Sequence, residues 1–179
     1  MKTILQSLRA IIVLTILTGA LYPLIVTGLS RVAFPAQAAG SQVSDGDKAI
    51  GSALLAQKFE KPEYFWSRPS GADYATVASG ASNKGPTSAD LVKSIEERRA
   101  KFGADAPDEL LTASGSGLDP HLSPAAAKYQ TGRVATARKL SESSINALID
   151  SQTEGPQLGI FGEPRVNVLA LNRALDGLK

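Results

Sequence analysis

A run of twenty residues without a charged side chain, Ala10 to Leu29, constrains this chain more than any other feature. As an α-helix the run would rise about 30 Å, which matches the hydrocarbon thickness of a bilayer. A helix pairs its own backbone groups, so it satisfies them where no water is present. The run therefore predicts a membrane-spanning helix or a secretory signal, and either one exports the rest of the chain.

The charges that flank the run predict its orientation. Lys2 and Arg9 precede it, Arg31 follows it, and the next charged residue is Asp45. Under the positive-inside rule, this distribution places the amino terminus in the cytoplasm and the rest of the chain outside. We expect a cytoplasmic segment 1–9, a transmembrane helix 10–31, a small and polar linker 32–47, and one extracytoplasmic domain 48–179.

A cleaved signal is the alternative to a retained anchor. Ala36-Gln37-Ala38 has the small-x-small form of a cleavage site. The apolar run is longer than the roughly 7 to 15 residues that are typical of a signal, which favours the anchor.

Small or helix-bending residues recur at every fourth position of the run, at Thr15, Gly19, Pro23 and Thr27. Pro23 cannot donate a hydrogen bond to Gly19, which favours a bend in the axis. Small residues allow a second helix to approach closely, so this face is a candidate docking face. The alternative is the ordinary frequency of these residue types in spanning helices.

Charge and cysteine content exclude several classes of protein. The net charge is +2, but acids outnumber bases by one after Arg31, so the basicity belongs to the membrane segment and argues against nucleic-acid binding. The absence of cysteine excludes thiolate chemistry, and a single histidine disfavours a multi-histidine metal site. We expect no metal site and no tightly bound cofactor.

Helix and strand signals after residue 48 predict an α+β fold for the domain. Caps and apolar spacing predict four helices: 88–102 behind Thr87, one from Ser123 through AAAKYQTGRVATARKL with Gly132 as a weak point, one after Ser141 and one after Asn167. Aromatic and branched residues predict strands at LLAQKF, YFW and GIFGEPRV.

The motifs of the common enzyme classes are absent from the sequence, including the phosphate-binding loop, the dinucleotide fingerprint, the Gly-x-Ser-x-Gly elbow and His-Glu-x-x-His. A catalytic triad would need His121 and Asp119 with a serine. The segment from Leu118 to Pro124 is instead typical of a turn that enters a capped helix. We therefore expect no catalytic residues.

Two polar, glycine-rich stretches, 79–87 and 112–121, each lead to a helix start. Backbone N–H groups in such stretches can cradle an anion or contact a partner chain, although ordinary connecting loops have the same composition. The candidate residues are Ser79, Gly80, Ser82, Asn83, Ser116, Gly117, Asp119 and His121.

Three adjacent aromatic residues, Tyr64-Phe65-Trp66, precede Arg68. In an extended segment, Tyr64 and Trp66 would share one face and Phe65 would take the other. We expect one face to enter the core, and the other face is a candidate interface, because aromatic residues and arginine dominate binding hot spots.

The chain resembles the C subunit of the Kdp potassium-transporting ATPase, the KdpC family. The resemblance covers nearly the whole chain and includes a single leading helix with Tyr22-Pro23. It rests on blocks in family order: GSALLAQKF, YFWSRPS, SGASNKGPTSADL, TASGSGLDPHLSPAAA with RVATAR, and GEPRVNVLALNRAL.

The resemblance implies an accessory, non-catalytic subunit of a high-affinity, ATP-driven potassium uptake complex in the bacterial inner membrane. Its partners would be the A, B and F subunits and membrane lipid, with potassium as the transported ion. The sequence agrees with a chain that does not hydrolyse ATP, because its Asp47-Lys48 pair continues as Ala49-Ile50 instead of a DKTG-like phosphorylation motif.

The family is also described as a catalytic chaperone that raises the ATP affinity of the B subunit, which makes Gln130 and Arg133 candidate nucleotide contacts. The charge-based topology places the domain outside, whereas ATP is cytoplasmic. This conflict favours an indirect, structural role. The alternatives are direct nucleotide binding, or an exported binding protein or hydrolase released by cleavage after Ala38.

Overall fold

The computed structural model describes residues 2–178 of the chain. Two compact units divide between Ile50 and Gly51. The first unit begins with an apolar helix, Lys2–Ala33, whose mean hydropathy reaches 2.2 and in which no described side chain is buried. At 1.5 Å per residue its 32 residues extend about 48 Å, long enough to cross a bilayer.

The long helix consists of α1 (Lys2–Ile16), a π-helical segment (Leu17–Leu21) and α2 (Tyr22–Ala33). The Tyr22 N–H donates to the carbonyl of Leu17, five residues back. This wider turn lies directly before Pro23, which has no N–H to donate, and a π-bulge is a common accommodation of such a break.

The π-helical segment changes the expected docking face. Thr15, Gly19, Pro23 and Thr27 are all exposed, but the segment contains Gly19 and separates Thr15 from Pro23. Because a π turn closes over five residues rather than four, the four side chains do not form one unbroken α-helical stripe.

The segment expected to be a linker, 32–47, contains regular structure. It includes the short helix α3 (Pro35–Ala38) and strand β1 (Gln42–Asp45), and β1 forms a two-stranded sheet with β2 (Lys48–Ser52). Gly46, with φ of +57°, lies in the turn between the strands, a conformation that glycine adopts at little cost.

The second unit is the α+β domain that the sequence predicts. Its helices are α4 (Ala89–Phe102), α5 (Asp108–Leu111), α6 (Pro124–Tyr129), α7 (Thr131–Arg138), α8 (Glu142–Ser151) and α9 (Val168–Asp176). A three-stranded antiparallel sheet has the order β3 (His121–Leu122), β5 (Arg165–Asn167), β4 (Thr153–Glu154). The registers pair Leu122 and Thr153 with Val166 from either side.

The core lies between this sheet and helices α6 to α9. Its buried side chains include Phe65, Leu110, Leu122, Val134, Ile145, Ile149, Val166, Leu171 and Leu175. Helix α9 directs Leu171 and Leu175 into the core, as its apolar spacing predicts.

A capping serine or asparagine precedes four helices of the domain, α4, α6, α8 and α9. Ser123, Ser141 and Asn167 each accept a hydrogen bond from the backbone N–H three residues later, which confirms those predicted caps. The cap of α4 is Ser88, which accepts from Leu91, so the prediction of Thr87 is wrong by one residue. The helix predicted through Gly132 divides at Gln130 into α6 and α7.

Two predicted strands are wrong. Residues 54–59 and 64–66 lie outside the strands, and of GIFGEPRV only Arg165 and Val166 belong to β5. Phe65 is buried in the core although it is in no strand, whereas Leu54 and Leu55 of the first block are exposed, so β-propensity alone did not determine either segment.

Candidate functional site

An irregular extended segment, Tyr64 to Ser70, crosses the domain and is named here the aromatic strip. Phe65 and Ser67 are buried, whereas Tyr64, Trp66 and Arg68 are half-buried. The alternation expected from the sequence is therefore present. Phe65 enters the core, and the opposite face remains partly open to solvent.

Two buried amide side chains hydrogen-bond to the main chain of the strip, as a neighbouring strand would in a sheet. The side chain of Asn172 accepts from the N–H of Phe65 at 2.8 Å and donates to its carbonyl at 3.0 Å. Gln130 does the same for Trp66, accepting at 2.9 Å and donating at 3.1 Å. Both amides are 2% exposed, so these bonds satisfy main-chain groups that water does not reach.

Arg133 completes this scaffold. Its Nη1 donates to the carbonyls of Pro62 and Tyr64 at 2.6 and 2.9 Å, and its Nη2 donates to Gln130 Oε1 at 2.7 Å. Its guanidinium carbon lies 3.8 Å from the centroid of the Trp66 ring. Burial lowers the pKa of Arg133 to about 10. The two candidate nucleotide contacts, Gln130 and Arg133, thus bond to each other and to the aromatic strip.

Trp66 has a second cationic neighbour on α4. Lys101 Nζ lies 4.0 Å from the ring centroid, and Phe102 meets the ring edge-on at 5.4 Å between centroids. A cavity of about 200 Å³ opens beside Trp66, Arg98 and Lys101, and a smaller one of about 70 Å³ lies beside Trp66, Lys101 and Arg133. Cation–π contacts of this kind orient both the ring and the charge.

The two glycine-rich stretches meet each other. A Cβ on Gly117, whose φ is +70°, would lie 2.8 Å from the carbonyl oxygen of Gly80. Gly71 is almost as close to the same loop, because its Cβ would lie 3.1 Å from the N atom of Ser82. Close backbone contact explains the glycines at 71 and 117. Ser79, Ser82 and Asn83 are exposed, and Ser82 lines a third cavity with Arg98.

The polar candidates of the second stretch bond locally. Ser116 Oγ accepts from the Leu118 N–H, and Asp119 accepts from the His121 N–H and from Arg68 Nη1. Burial, followed by the charge of Arg165, lowers the pKa of His121, so its imidazole is neutral at pH 7.

The serine that follows His121 belongs to a helix cap. Ser123 donates its hydroxyl to Glu109 and accepts from Ala126, so it supports α6 and is bonded to a carboxylate rather than to the imidazole. Within residues 2–178, no cluster of three or more His, Cys, Asp or Glu side chains is arranged to hold a metal ion.

Asn172, Arg98 and Lys101 were not predicted from the sequence as functional residues. A signal for Asn172 was present: it lies on the apolar face of α9, beside Val168, Leu171 and Leu175, and a polar residue on such a face is typically hydrogen-bonded in the core. No comparable signal marks Arg98 or Lys101, which lie in a helix with many charged residues.

Comparison with known proteins finds matches to nearly the whole chain. A family model described as K+-transporting ATPase, c chain, matches residues 4–177. The chain belongs to the KdpC family. Its KdpC relatives include a potassium-transporting ATPase KdpC subunit from Polynucleobacter asymbioticus, 51% identical over 188 residues that cover 99% of this chain and 100% of the relative.

Two further relatives carry the same name. The KdpC subunit of Sorangium cellulosum is 49% identical over 183 residues, covering 97% of this chain and 96% of the relative. The one from Caulobacter vibrioides is 51% identical over 170 residues, covering 90% and 86%. The family-model match over residues 4–177 includes almost all of the apolar helix and the domain with the aromatic strip.

Proposed function

We propose that this chain is an accessory, non-catalytic subunit that the potassium-transporting complex needs for assembly and stability. The observation that carries the proposal is an apolar helix, Lys2–Ala33, without one buried side chain, in a chain that matches its family from residue 4 to 177. Lipid would cover such a helix, and its small residues would let transmembrane helices of partner subunits pack closely against it. The partners would be the A, B and F subunits, with potassium as the transported ion.

The chain's influence on ATP use is proposed to be indirect. Gln130 and Arg133 are engaged in holding the aromatic strip, which leaves them a positioning role. The three cavities along the strip measure about 70 to 230 Å³, below the 300 to 1,000 Å³ or so that is usual for small-molecule sites. ATP would then act through the B subunit of the complex.

The proposed topology has residues 1–9 in the cytoplasm, a span within 10–31 and the domain outside the inner membrane. The charges support it, because Lys2 and Arg9 lie at the amino-terminal end of the apolar helix, before its uncharged run, and the carboxyl-terminal end carries Arg31 alone. A retained helix is proposed over a cleaved signal on the basis of its length.

A cysteine introduced at Ser116 should react with a membrane-impermeant maleimide in cells whose outer barrier is permeabilised. Ser116 is exposed and the chain has no other cysteine, so the label reports one position. Gln6→Cys is the control for the cytoplasmic side and should react only after the cells are lysed. Protection of Ser116→Cys until lysis would place the domain in the cytoplasm and restore direct ATP contact as the leading mechanism.

Gly19→Leu should reduce recovery of the chain with tagged partner subunits about fivefold, which corresponds to about 1 kcal/mol of lost helix packing. Within the chain the position tolerates a Cβ, which would lie 3.9 Å from Thr15 Cγ2, so the loss would come from a partner helix. Recovery is measured by quantitative blotting of the affinity-purified complex.

Gly28→Leu is the matched control for Gly19→Leu. It adds the same side chain to the same apolar helix at a position with nothing within 4 Å. Gly28 follows Thr27 by one residue and therefore lies about 100° around the helix from it. Equal recovery of both variants would rule out a docking face centred on Gly19.

A further inference from the structure

Three cationic side chains lie over the Trp66 ring or line the larger cavity beside it. Lys101 and Arg133 lie over its ring, and Arg98 shares the larger cavity with Trp66 and Lys101. Among residues 2–178, none of the three cations forms an ion pair with an aspartate or glutamate. Asp73 and Glu60, which also line that cavity, are both paired with Lys58 at its edge.

Two of these charges are partly removed from water. The Nη1 of Arg98 donates to the carbonyl of Leu111 at 2.7 Å, and Arg133 donates to two carbonyls and an amide. Burial is the largest cause that lowers the pKa of each guanidinium. Neutral oxygens accept these hydrogen bonds but leave the net positive charge in place, so an incoming anion would gain attraction.

The composition and size of the surface indicate what it can bind. Tryptophan and arginine are the residue types most enriched in binding hot spots, and here they occur together with a lysine. The cavities of about 200 and 70 Å³ admit a side chain rather than a nucleotide. A guanidinium presents paired N–H groups that match the two oxygens of a carboxylate.

We propose that the surface formed by Trp66, Arg98, Lys101 and Arg133 docks an acidic side chain, aspartate or glutamate, from another subunit of the transport complex. The inference rests on the proposed function, because it presumes that the chain is assembled with partner subunits. Charge complementarity selects the occupant. Arg98, Lys101 and Arg133 form no ion pair among the described residues, and the Asp73 and Glu60 carboxylates of the larger cavity are paired with Lys58. A partner's carboxylate therefore supplies the missing charge and steers docking.

Carbodiimide crosslinking of the purified complex tests this directly, since the reagent joins a lysine amine to a carboxylate only when the two are in contact. Lys101 is exposed and its Nζ is held over Trp66, so it is positioned to report the contact. We expect mass spectrometry to find an amide between Lys101 and an aspartate or glutamate of a partner subunit.

Lys101→Gln should abolish that crosslink, and Lys93→Gln should leave it intact. Lys93 lies on the same helix, α4, is exposed and has no carboxylate partner among the described residues, so it is a matched lysine outside the surface. Equal recovery of wild-type and variant chains with the partner subunits shows that assembly is unaffected and keeps this test separate from the proposed function.

Two results would overturn the inference while the proposed function stands. In the first, the complex is recovered but Lys101 is crosslinked only to carboxylates of its own chain, or to no carboxylate at all. In the second, the crosslink is absent and inorganic phosphate raises the Tm of the wild-type chain but not that of Lys101→Gln. That result would mean that the surface binds a free anion. Failure of the chain to co-purify would instead contradict the proposed function.

Discussion

Replacing Asn172 with leucine should lower the free energy of unfolding of the domain by about 3 kcal/mol, because two buried main-chain groups lose their partners at about 1 to 3 kcal/mol each. Those groups are the N–H and the carbonyl of Phe65, a residue with no exposed surface. Leucine has a similar volume, so the loss reports unmade hydrogen bonds rather than a large cavity.

Urea unfolding of the full chain in detergent measures the effect of Asn172→Leu. Trp66 is the single tryptophan of the chain and adjoins Phe65 in the aromatic strip, so its fluorescence follows the segment that the amide holds. Ala170→Leu adds leucine to the exposed side of the same helix and should stay within about 0.5 kcal/mol of wild type. A loss below about 1 kcal/mol in Asn172→Leu would mean that the strip finds other hydrogen-bond partners.

For the aromatic strip, the sequence predicted which side chains are buried but not the hydrogen-bond partners of the main chain. Its alternation correctly predicted that Phe65 faces away from Tyr64 and Trp66, but the assignment to a strand was wrong. The partner of Phe65 is a side chain 107 residues away, on α9, and that of Trp66 is 64 residues away. Local β-propensity does not show which distant residue a segment pairs with. A segment whose main chain bonds to side-chain amides has the same local sequence pattern as a strand that bonds to a neighbouring strand.

Helix starts were predictable because their cause is local. A serine or asparagine that accepts from the N–H three residues later explains the starts of α6, α8 and α9. The error at α4 has the same origin, since Thr87 and Ser88 are both good caps and only the backbone path selects Ser88. The predicted long helix divides at Gln130, the residue whose side chain bonds to Trp66.

The candidate site was predicted in part. The sequence named the aromatic block, both glycine-rich stretches and, through the family resemblance, Gln130 and Arg133. The structure joins these into connected features, because Gln130 and Arg133 hold the aromatic block and the two stretches meet at Gly80 and Gly117. The cationic neighbours on α4 could not be chosen in advance, since its many charged residues are equivalent until packing places Lys101 over a ring.

Gly117→Ala should destabilise the domain by about 3 kcal/mol, through two effects that act together. The φ of Gly117 is +70°, a left-handed conformation that costs a residue with a Cβ about 1 to 2 kcal/mol. The added methyl would also lie 2.8 Å from the Gly80 carbonyl oxygen, closer than carbon and oxygen tolerate, so the loop at 79–83 has to move. Urea unfolding followed by Trp66 fluorescence again gives the measurement.

Two neighbouring alanine substitutions separate these effects from a general sensitivity of the loops. Gly115→Ala lies two residues before Gly117 in the same stretch. Gly80→Ala adds the methyl to the other residue of the Gly80–Gly117 contact. In both variants the Cβ would meet nothing within 4 Å. Both should stay within about 0.5 kcal/mol of wild type. If all three variants lose stability equally, the stretches respond to any substitution. If Gly117→Ala alone is destabilised, the loss comes from the left-handed backbone at Gly117 and its close contact with the Gly80 carbonyl rather than from the composition of the stretches.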